Sequence, residues 1–501
     1  MTTSVRVAVL TGLLAATALL AAPAGRAATD ASAVASQLPD MGSSADSVLT
    51  RGDEYQIGRM IVRGMRDAKQ VLDDPDLSDY MQHLGSRLAV QTGTLVTSYH
   101  YFLVPDRDVN AFALPGGFIG VNAGLMLMTH SESELASVMA HETAHVQQRH
   151  IARAVQAQSR ASLASTAAML AAILVGAAAG GGGDAMLGGI ALGQGVALQQ
   201  TMNFTRMEEA EADRVGIGLL ANAGFNTAAM PAFFEAMQRS EGVSDAGPLD
   251  LLRSHPVTSE RIAEARARAQ AIGQRPVTES PLYPWMVERL RVLTTDPERD
   301  ARVYYQKLRD TRPLTEAEAY GLAVAQVRQH DAASAVPVLR RLLAAHGELT
   351  ALYGDLATAQ FEAGEASEAL ALFERALRLF PRNVPLSMRY ADALMKSGKA
   401  KQAHELLLDL FNVVEPTSSQ IKLTALAASA AGDIGDAYYY MAEYHVSGGD
   451  LALANSQLEL ALAAPNLTTV QRQRFRARLT EIREWLREQR RERRGGSGDS
   501  G

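Results

Sequence analysis

The chain has 501 residues, room for two or three domains, with 47% hydrophobic and 21% charged residues, the balance of an ordinary globular protein. A net charge of −7 offers no basic face for a nucleic-acid partner. Cysteine is absent altogether, which excludes disulfides, thiol nucleophiles and Cys-ligated zinc together, so any metal site must be built from histidine and carboxylate.

Residues 1–27 read as a signal peptide. Arg6 is the positive n-region, Val7 to Ala22 form an apolar h-region short for a membrane span, and the small residues from Ala22 to Ala27 offer cleavage sites. Export without disulfides points to a bacterial periplasm. Residues 28–52 are Ala/Ser/Asp-rich and read as a flexible segment. From 53 to 275 the pattern is mixed. It predicts helices over 53–72 and 77–92, then strands in SYHYFLVPD and NAFALPGGFIGVNAGLM.

The stretch ELASVMAHETAHVQQRH, Glu134 to His150, is Ala-rich and helix-favouring. His141 and His145 are four apart, so on a helix both imidazoles face one way, with Glu142 beside them in reach of a water between metal and substrate. His150 falls one position short of the third histidine that a metzincin would carry, where this chain has Ile151. On a continuing helix it points off the metal face and reads as a surface residue. Zinc needs a third protein ligand and an open fourth position, and NFTRMEEAEADRVG is the candidate source. Glu209 and Asp213 are one turn apart there, placing Glu209 as ligand and Asp213 against the far nitrogen of a ligand histidine. Glu208 and Glu211 compete for the ligand role.

Between these segments, residues 161–198 are almost wholly small and apolar, interrupted by Gly180–Gly183 and Asp184. They read as a glycine-hinged cover over a cleft, with peripheral membrane contact as the second reading. GQRPVTESPLYPW carries three prolines, and 276–300 reads as a linker. Beyond it, over 301–490, the chain repeats every 34 residues. Gly364, Gly398 and Gly432 fall in phase with His330, and Ala369, Ala403 and Ala437 with Ala335. Such spacing resembles tetratricopeptide repeats, in which paired helices stack into a solenoid with a concave groove. The basic run REQRRERRGG reads as a solvated helix end leading into a disordered tail, 491–501. The expected fold is therefore mainly α: an α+β domain with a small sheet and an HExxH helix, followed by an all-α tetratricopeptide-repeat solenoid.

HETAH followed by Glu209, Ala212 and Asp213 in ExxAD resembles the gluzincin family of CAAX-prenyl-protease-like and HtpX-like peptidases. NAFALPGGFIGVNAGL, SESELASVMAHETAHVQQRHIAR and LLRSHPVTSERIAEAR strengthen the resemblance, while the long insert at 161–198 departs from it. The resemblance implies one Zn2+ per chain held by His141, His145 and Glu209, with Glu142 as general base. It credits Asp213 with proton donation, although a carboxyl needs a strongly raised pKa to donate near neutrality. It gives His255, in RSHP, either a place on the open zinc position or a hydrogen bond to the developing oxyanion. It makes 115–122 either a hairpin or an edge strand that pairs with extended substrate. With a signal peptide in front and repeats behind, it implies an exported endopeptidase acting on unfolded or misfolded outer-membrane proteins, its repeats docking the β-barrel assembly machinery. The alternatives are a repeat-based periplasmic chaperone or scaffold with a self-inhibited site, and a membrane-associated quality-control protease.

Overall fold

A computed structural model describes residues 49–93, 98–157, 205–241, 250–273, 276–296 and 298–495. The signal segment, most of 28–52, the apolar stretch 161–198 and the end of the tail lie outside them. Among the described residues, no helix is long and apolar enough to cross a membrane.

Helix α1 (Arg51–Asp67) starts in a reciprocal Thr50/Asp53 capping box and buries Ile57, Gly58, Ile61, Val62 and Met65, one stripe at helical spacing. Helix α2 (Pro75–Ala89) starts on Asp74, whose carboxylate accepts from the Leu77 amide at 3.0 Å, with proline at the first helical position. Three strands follow: β1 (His100–Val104), β2 (Ala111–Leu114) and β3 (Phe118–Asn122). Their order is β1-β3-β2, with β3 parallel to β1 and antiparallel to β2. The tight turn between β2 and β3 places Gly116 at φ 76°, where a Cβ would lie 2.3 Å from the Tyr55 Cα of α1.

Of the two expectations for 115–122, this order gives the hairpin, with β2 and β3 pairing antiparallel across Pro115–Gly117, and overturns the edge strand. All of β3 is paired on both sides, so it has no edge to offer a substrate. Among the described residues, the strand with an unpaired side that packs against the histidine-bearing helix is β2.

Helices α3 (Ala123–Met128) and α4 (Glu132–Gln147) come next, α4 capped by Ser131 and buried from Glu132 to His145 except at Glu134. Then follow α5 (His150–Ala157), α6 (Arg206–Asn222), α7 (Ala229–Glu241), α8 (Asp250–Ser254) and α9 (Ser259–Ile272). Gly216 lets α6 lie tight on α4, since a Cβ there would stand 3.1 Å from the Ala140 carbonyl oxygen and the His141 amide nitrogen.

The interval expected as a linker instead carries α10 (Tyr283–Leu293), which buries Tyr283, Trp285, Met286, Leu290 and Val292. Its prolines mislead: Pro284 lies in the first turn, where a missing N–H costs nothing. One continuous apolar core runs from Leu77 through Trp285 to Leu407 and so joins the region before 275 to the repeats, with smaller clusters around Ile61 and around Phe475. Arg289 on α10 sits at that junction.

The repeats pair α12 (Glu316–Arg328) with α13 (Ala332–Ala345), α14 (Thr350–Glu362) with α15 (Ala366–Leu379), α16 (Val384–Lys396) with α17 (Ala400–Phe411), and α18 (Ser418–Ala430) with α19 (Ile434–Ser447), after a leading α11 (Arg302–Thr311). Each pair turns on a left-handed residue: His330, Gly364, Gly398 and Gly432, at φ 58°, 89°, 72° and 82°. Ala335, Ala369 and Ala403 are fully buried five positions on, whereas Ala437 is half-buried. Helices α20 (Leu451–Ala463) and α21 (Thr469–Gly495) close the array, and α21 runs into the stretch expected as tail.

Candidate active site

Helix α4 presents His141 and His145 one turn apart, and α6 brings Glu209 against them. His141 Nε2 lies 3.1 Å from His145 Nε2, and each of these nitrogens lies 3.5 Å from a Glu209 oxygen. His255, at the end of α8, completes the group, its Nδ1 3.4 Å from His141 Nε2 and 2.7 Å from Glu209 Oε1. Ligand atoms of all four residues lie within 4.8 Å of one another, and all four side chains are buried.

The spacing fits a metal. Two ligands about 2.0–2.1 Å from a tetrahedral ion stand roughly 3.4 Å apart, and the distances above cluster around that value. Two imidazoles and a carboxylate are a donor set that suits zinc. Glu142, 1% exposed, points into the same space, its Oε1 3.7 Å from His255 Nε2, and among the described residues neither of its oxygens has a hydrogen-bond partner. A buried carboxylate held in this way is aimed at something the protein itself does not provide.

The competing glutamates go elsewhere. Glu208 closes the capping box with Thr205 at the start of α6. Glu211 takes His150 and Arg153. Asp213 Oδ1 lies 3.0 Å from His141 Nδ1, the nitrogen turned away from the cluster.

Arg261, in the first turn of α9, escaped sequence reasoning. Its guanidinium donates to both Asp213 oxygens at 2.8 and 2.9 Å, to the Pro256 carbonyl at 2.8 Å, and reaches Glu209 Oε2 at 2.7 Å. The only signal for it was its place in LLRSHPVTSERIAEAR, where Thr258 caps the helix that aims it. Burial opposes ionisation of Asp213, but His141 and Arg261 outweigh it and hold the carboxyl below its usual range. Burial likewise opposes the charge of Glu209, yet His255 and His141 pull its pKa well down. His141 is pushed up to about 10, because hydrogen bonds and charge from Asp213 and Glu209 overcome its desolvation. His145 moves well down, through burial first and then the neighbouring His141 and His255.

His150 requires a correction. It is fully buried, its Nδ1 2.8 Å from His145 Nδ1. The surface reading assumed that α4 continues through it. Instead α4 ends at Gln147, Arg149 adopts φ 53°, and the chain turns back into α5. Arg149 is held there by Glu54 Oε2 at 3.1 Å and the Leu49 carbonyl at 2.6 Å.

Residues 75–269 match the model of peptidase family M48, and residues 360–422 match a tetratricopeptide-repeat model. The β-barrel assembly-enhancing protease of Escherichia coli (strain K12) is 32% identical over 477 residues, covering 94% of this chain and 96% of that protein. The chain belongs to peptidase family M48. It is a metalloprotease whose M48 domain is followed by tetratricopeptide repeats. The β-barrel assembly-enhancing protease of Yersinia pestis is also 32% identical, over 461 residues, covering 89% of this chain and 91% of the relative. The mitochondrial metalloendopeptidase OMA1 of Schizosaccharomyces pombe is 32% identical over 183 residues, 36% of this chain and 50% of OMA1.

Proposed function

We propose that this M48 protease is an exported, zinc-dependent endopeptidase that removes misfolded or stalled outer-membrane proteins. The observation that carries the reading is the buried cluster of His141, His145 and Glu209 with the unpartnered Glu142 carboxylate beside it. His141 and His145 through Nε2, and Glu209 through its carboxylate, would hold one Zn2+. Zinc bound there supplies a Lewis acid that polarises a scissile carbonyl and brings the pKa of a coordinated water toward 7.

Every other part falls to the chain. Glu142 accepts the proton of the attacking water and passes it to the leaving amine. Asp213 fixes the His141 ring through Nδ1, and its lowered pKa supports orientation rather than proton donation. Arg261 sets Glu209 and Asp213 of α6 at once. An extended substrate backbone pairs along the unpaired side of β2, the strand against α4.

The periplasmic destination rests on the signal-like pattern of residues 1–27 and on near full-length likeness to the E. coli protease. That likeness and the repeats support outer-membrane proteins as clients and the β-barrel assembly machinery as the docking partner. A second reading, a chaperone or scaffold with a self-inhibited protease site, is favoured by one observation: His255 Nδ1 occupies the fourth corner of the donor cluster.

The test compares two variants of the mature chain. Glu209→Ala loses most of its zinc; Glu142→Gln keeps it and loses about 10²–10⁴-fold in cleavage of an unfolded polypeptide. Undiminished zinc in the first, or near-parental cleavage in the second, overturns the assignment. A parent that binds zinc and clients but cleaves none of them establishes the scaffold reading.

A further inference from the structure

We infer that His150, with Glu211 behind it, is a positioning residue that fixes the tautomer and ring orientation of His145 toward the metal. The inference rests on the metal-site reading above and follows from the nitrogens that each ring presents. His145 Nε2 faces His141 Nε2 at 3.1 Å and Glu209 at 3.5 Å, so Nε2 is the ligand atom and must keep its lone pair. The proton of neutral His145 therefore sits on Nδ1.

That Nδ1–H points at His150 Nδ1, 2.8 Å away, which must accept it. With Nδ1 accepting, the proton of His150 sits on Nε2. Nε2 in turn donates to Glu211 Oε2 at 3.2 Å. Arg153 Nη1 donates to the same oxygen at 2.9 Å and holds the carboxylate in place. Each link leaves only one arrangement of protons for the next, from the partly exposed Glu211 inward to the ligand. The rings of His145 and His150 stand nearly perpendicular, at 81° with centroids 4.7 Å apart, so the contact is an edge-on hydrogen bond and not a stack.

The three proposed ligands thus each receive a partner behind them. Asp213 takes His141 Nδ1, Arg261 takes Glu209, and His150 takes His145. For His145 the partner is a second imidazole, which the surrounding burial accommodates more readily than a further charge. Its placement depends on the left-handed turn at Arg149, which returns the first residue of α5 to the face of α4. Partners of this kind are worth about 10–100-fold in metal affinity.

The experiment measures zinc affinity of the full chain by chelator competition, together with the visible spectrum of the Co2+-substituted protein. The variants are His150→Asn, His150→Leu and Glu211→Ala. Asn places an oxygen acceptor close to the position of Nδ1, whereas Leu fills the space without one. Expected are affinity within about 3-fold of the parent for Asn, a loss of about 10–100-fold with an altered cobalt spectrum for Leu, and an intermediate loss for Glu211→Ala. Parental affinity in the Leu variant overturns the inference, as does an equal loss in Asn and Leu, which would make His150 a packing residue. Glu211 is partly exposed, so its variant tests the outer link even where the Leu variant folds poorly. A parent that binds no zinc would instead overturn the metal-site reading itself.

Discussion

Arg289 on α10 donates to Asp355 of the repeats at 2.8 Å. The same guanidinium holds both oxygens of Asp74, the cap of α2, at 2.8 and 2.7 Å. Tyr320 and Arg389 close around Asp355, at 2.7 Å each, and Arg389 also pairs with Asp76. One buried cluster therefore ties the protease region to three repeats through the helix that composition assigned to a linker.

Breaking that cluster is expected to destabilise the whole chain. Removing one partner of a buried ion pair leaves uncompensated charge and costs about 3–5 kcal/mol. Arg289→Ala takes the guanidinium from Asp74 and leaves Asp355 with only Arg389 and Tyr320, so a lower melting temperature for protease and repeats in a single transition is the expected outcome. For the same reason, deletion of residues 301–501 should impair zinc binding, because it bares Trp285 and Leu290 and leaves Arg289 without Asp355. Calorimetry showing two independent transitions in the parent, with only one shifted by Arg289→Ala, would refute the shared core.

The cluster also sets a pH dependence. Burial opposes ionisation of Asp355, but the charges of Arg289 and Arg389 prevail and bring it to about 2. An unfolded aspartate titrates near ~3.9, so the folded pKa is depressed. Its contribution, on the order of 2 kcal/mol, is present above about pH 4 and lost as pH falls toward 2. Asp76 runs in the opposite sense, because burial raises its pKa among neighbouring carboxylates. Asp355→Asn should therefore flatten the loss of melting temperature between about pH 4 and pH 2 while lowering stability at neutrality. Parallel acid profiles for parent and variant would remove Asp355 from the account.

Gly216 supports a third expectation. Its missing Cβ lets α6 lie close on α4, since a Cβ there would stand 3.1 Å from the backbone of Ala140 and His141, and Glu209 lies two turns upstream on the same helix. Gly216→Val should force the helices apart, cost roughly 1–3 kcal/mol of stability and weaken zinc binding more than Gly216→Ala does. Chelator competition on both variants measures this. Unchanged affinity in the valine variant would show that α6 does not depend on the close approach.

What was legible in the sequence was local. Helical spacing alone put His141 beside His145 and Glu209 one turn before Asp213. The 34-residue period located the left-handed turn at His330, although a histidine fills the glycine position there. What was illegible depended on the chain turning or pairing at a distance. His150 reaches His145 only because Arg149, a residue with no sequence preference for it, takes a left-handed conformation supported by Glu54 from α1. The central place of β3 depends on parallel pairing with β1, which no alternation of residues announces. Proline density marked 276–300 as a linker, whereas Pro284 starts a helix whose burial depends on Leu77, Tyr320 and their neighbours.

The last expectation concerns His255, for which two roles predict opposite results. Its ring lies 2.7 Å from Glu209 Oε1 and 3.4 Å from His141 Nε2, inside the donor cluster, while Nε2 faces Glu142 at 3.7 Å. In that position the imidazole takes the space that a substrate carbonyl and its attacking water need. It also stands between Glu142 and the place where Glu142 must act. Opening requires substrate or a partner to favour the displaced ring by more than those contacts contribute. The His255→Ala chain should therefore cleave casein faster than the parent and degrade itself, with zinc content unchanged. If His255 acted mainly as an oxyanion donor, the same variant would be slower by roughly 10²–10³-fold, as for loss of one such donor. The buried placement, 3% exposed and in contact with two proposed ligands and the proposed base, favours the block. A time course of casein cleavage and self-cleavage for parent and variant, each at measured zinc occupancy, separates the two, and a slower variant with full zinc would eliminate the block.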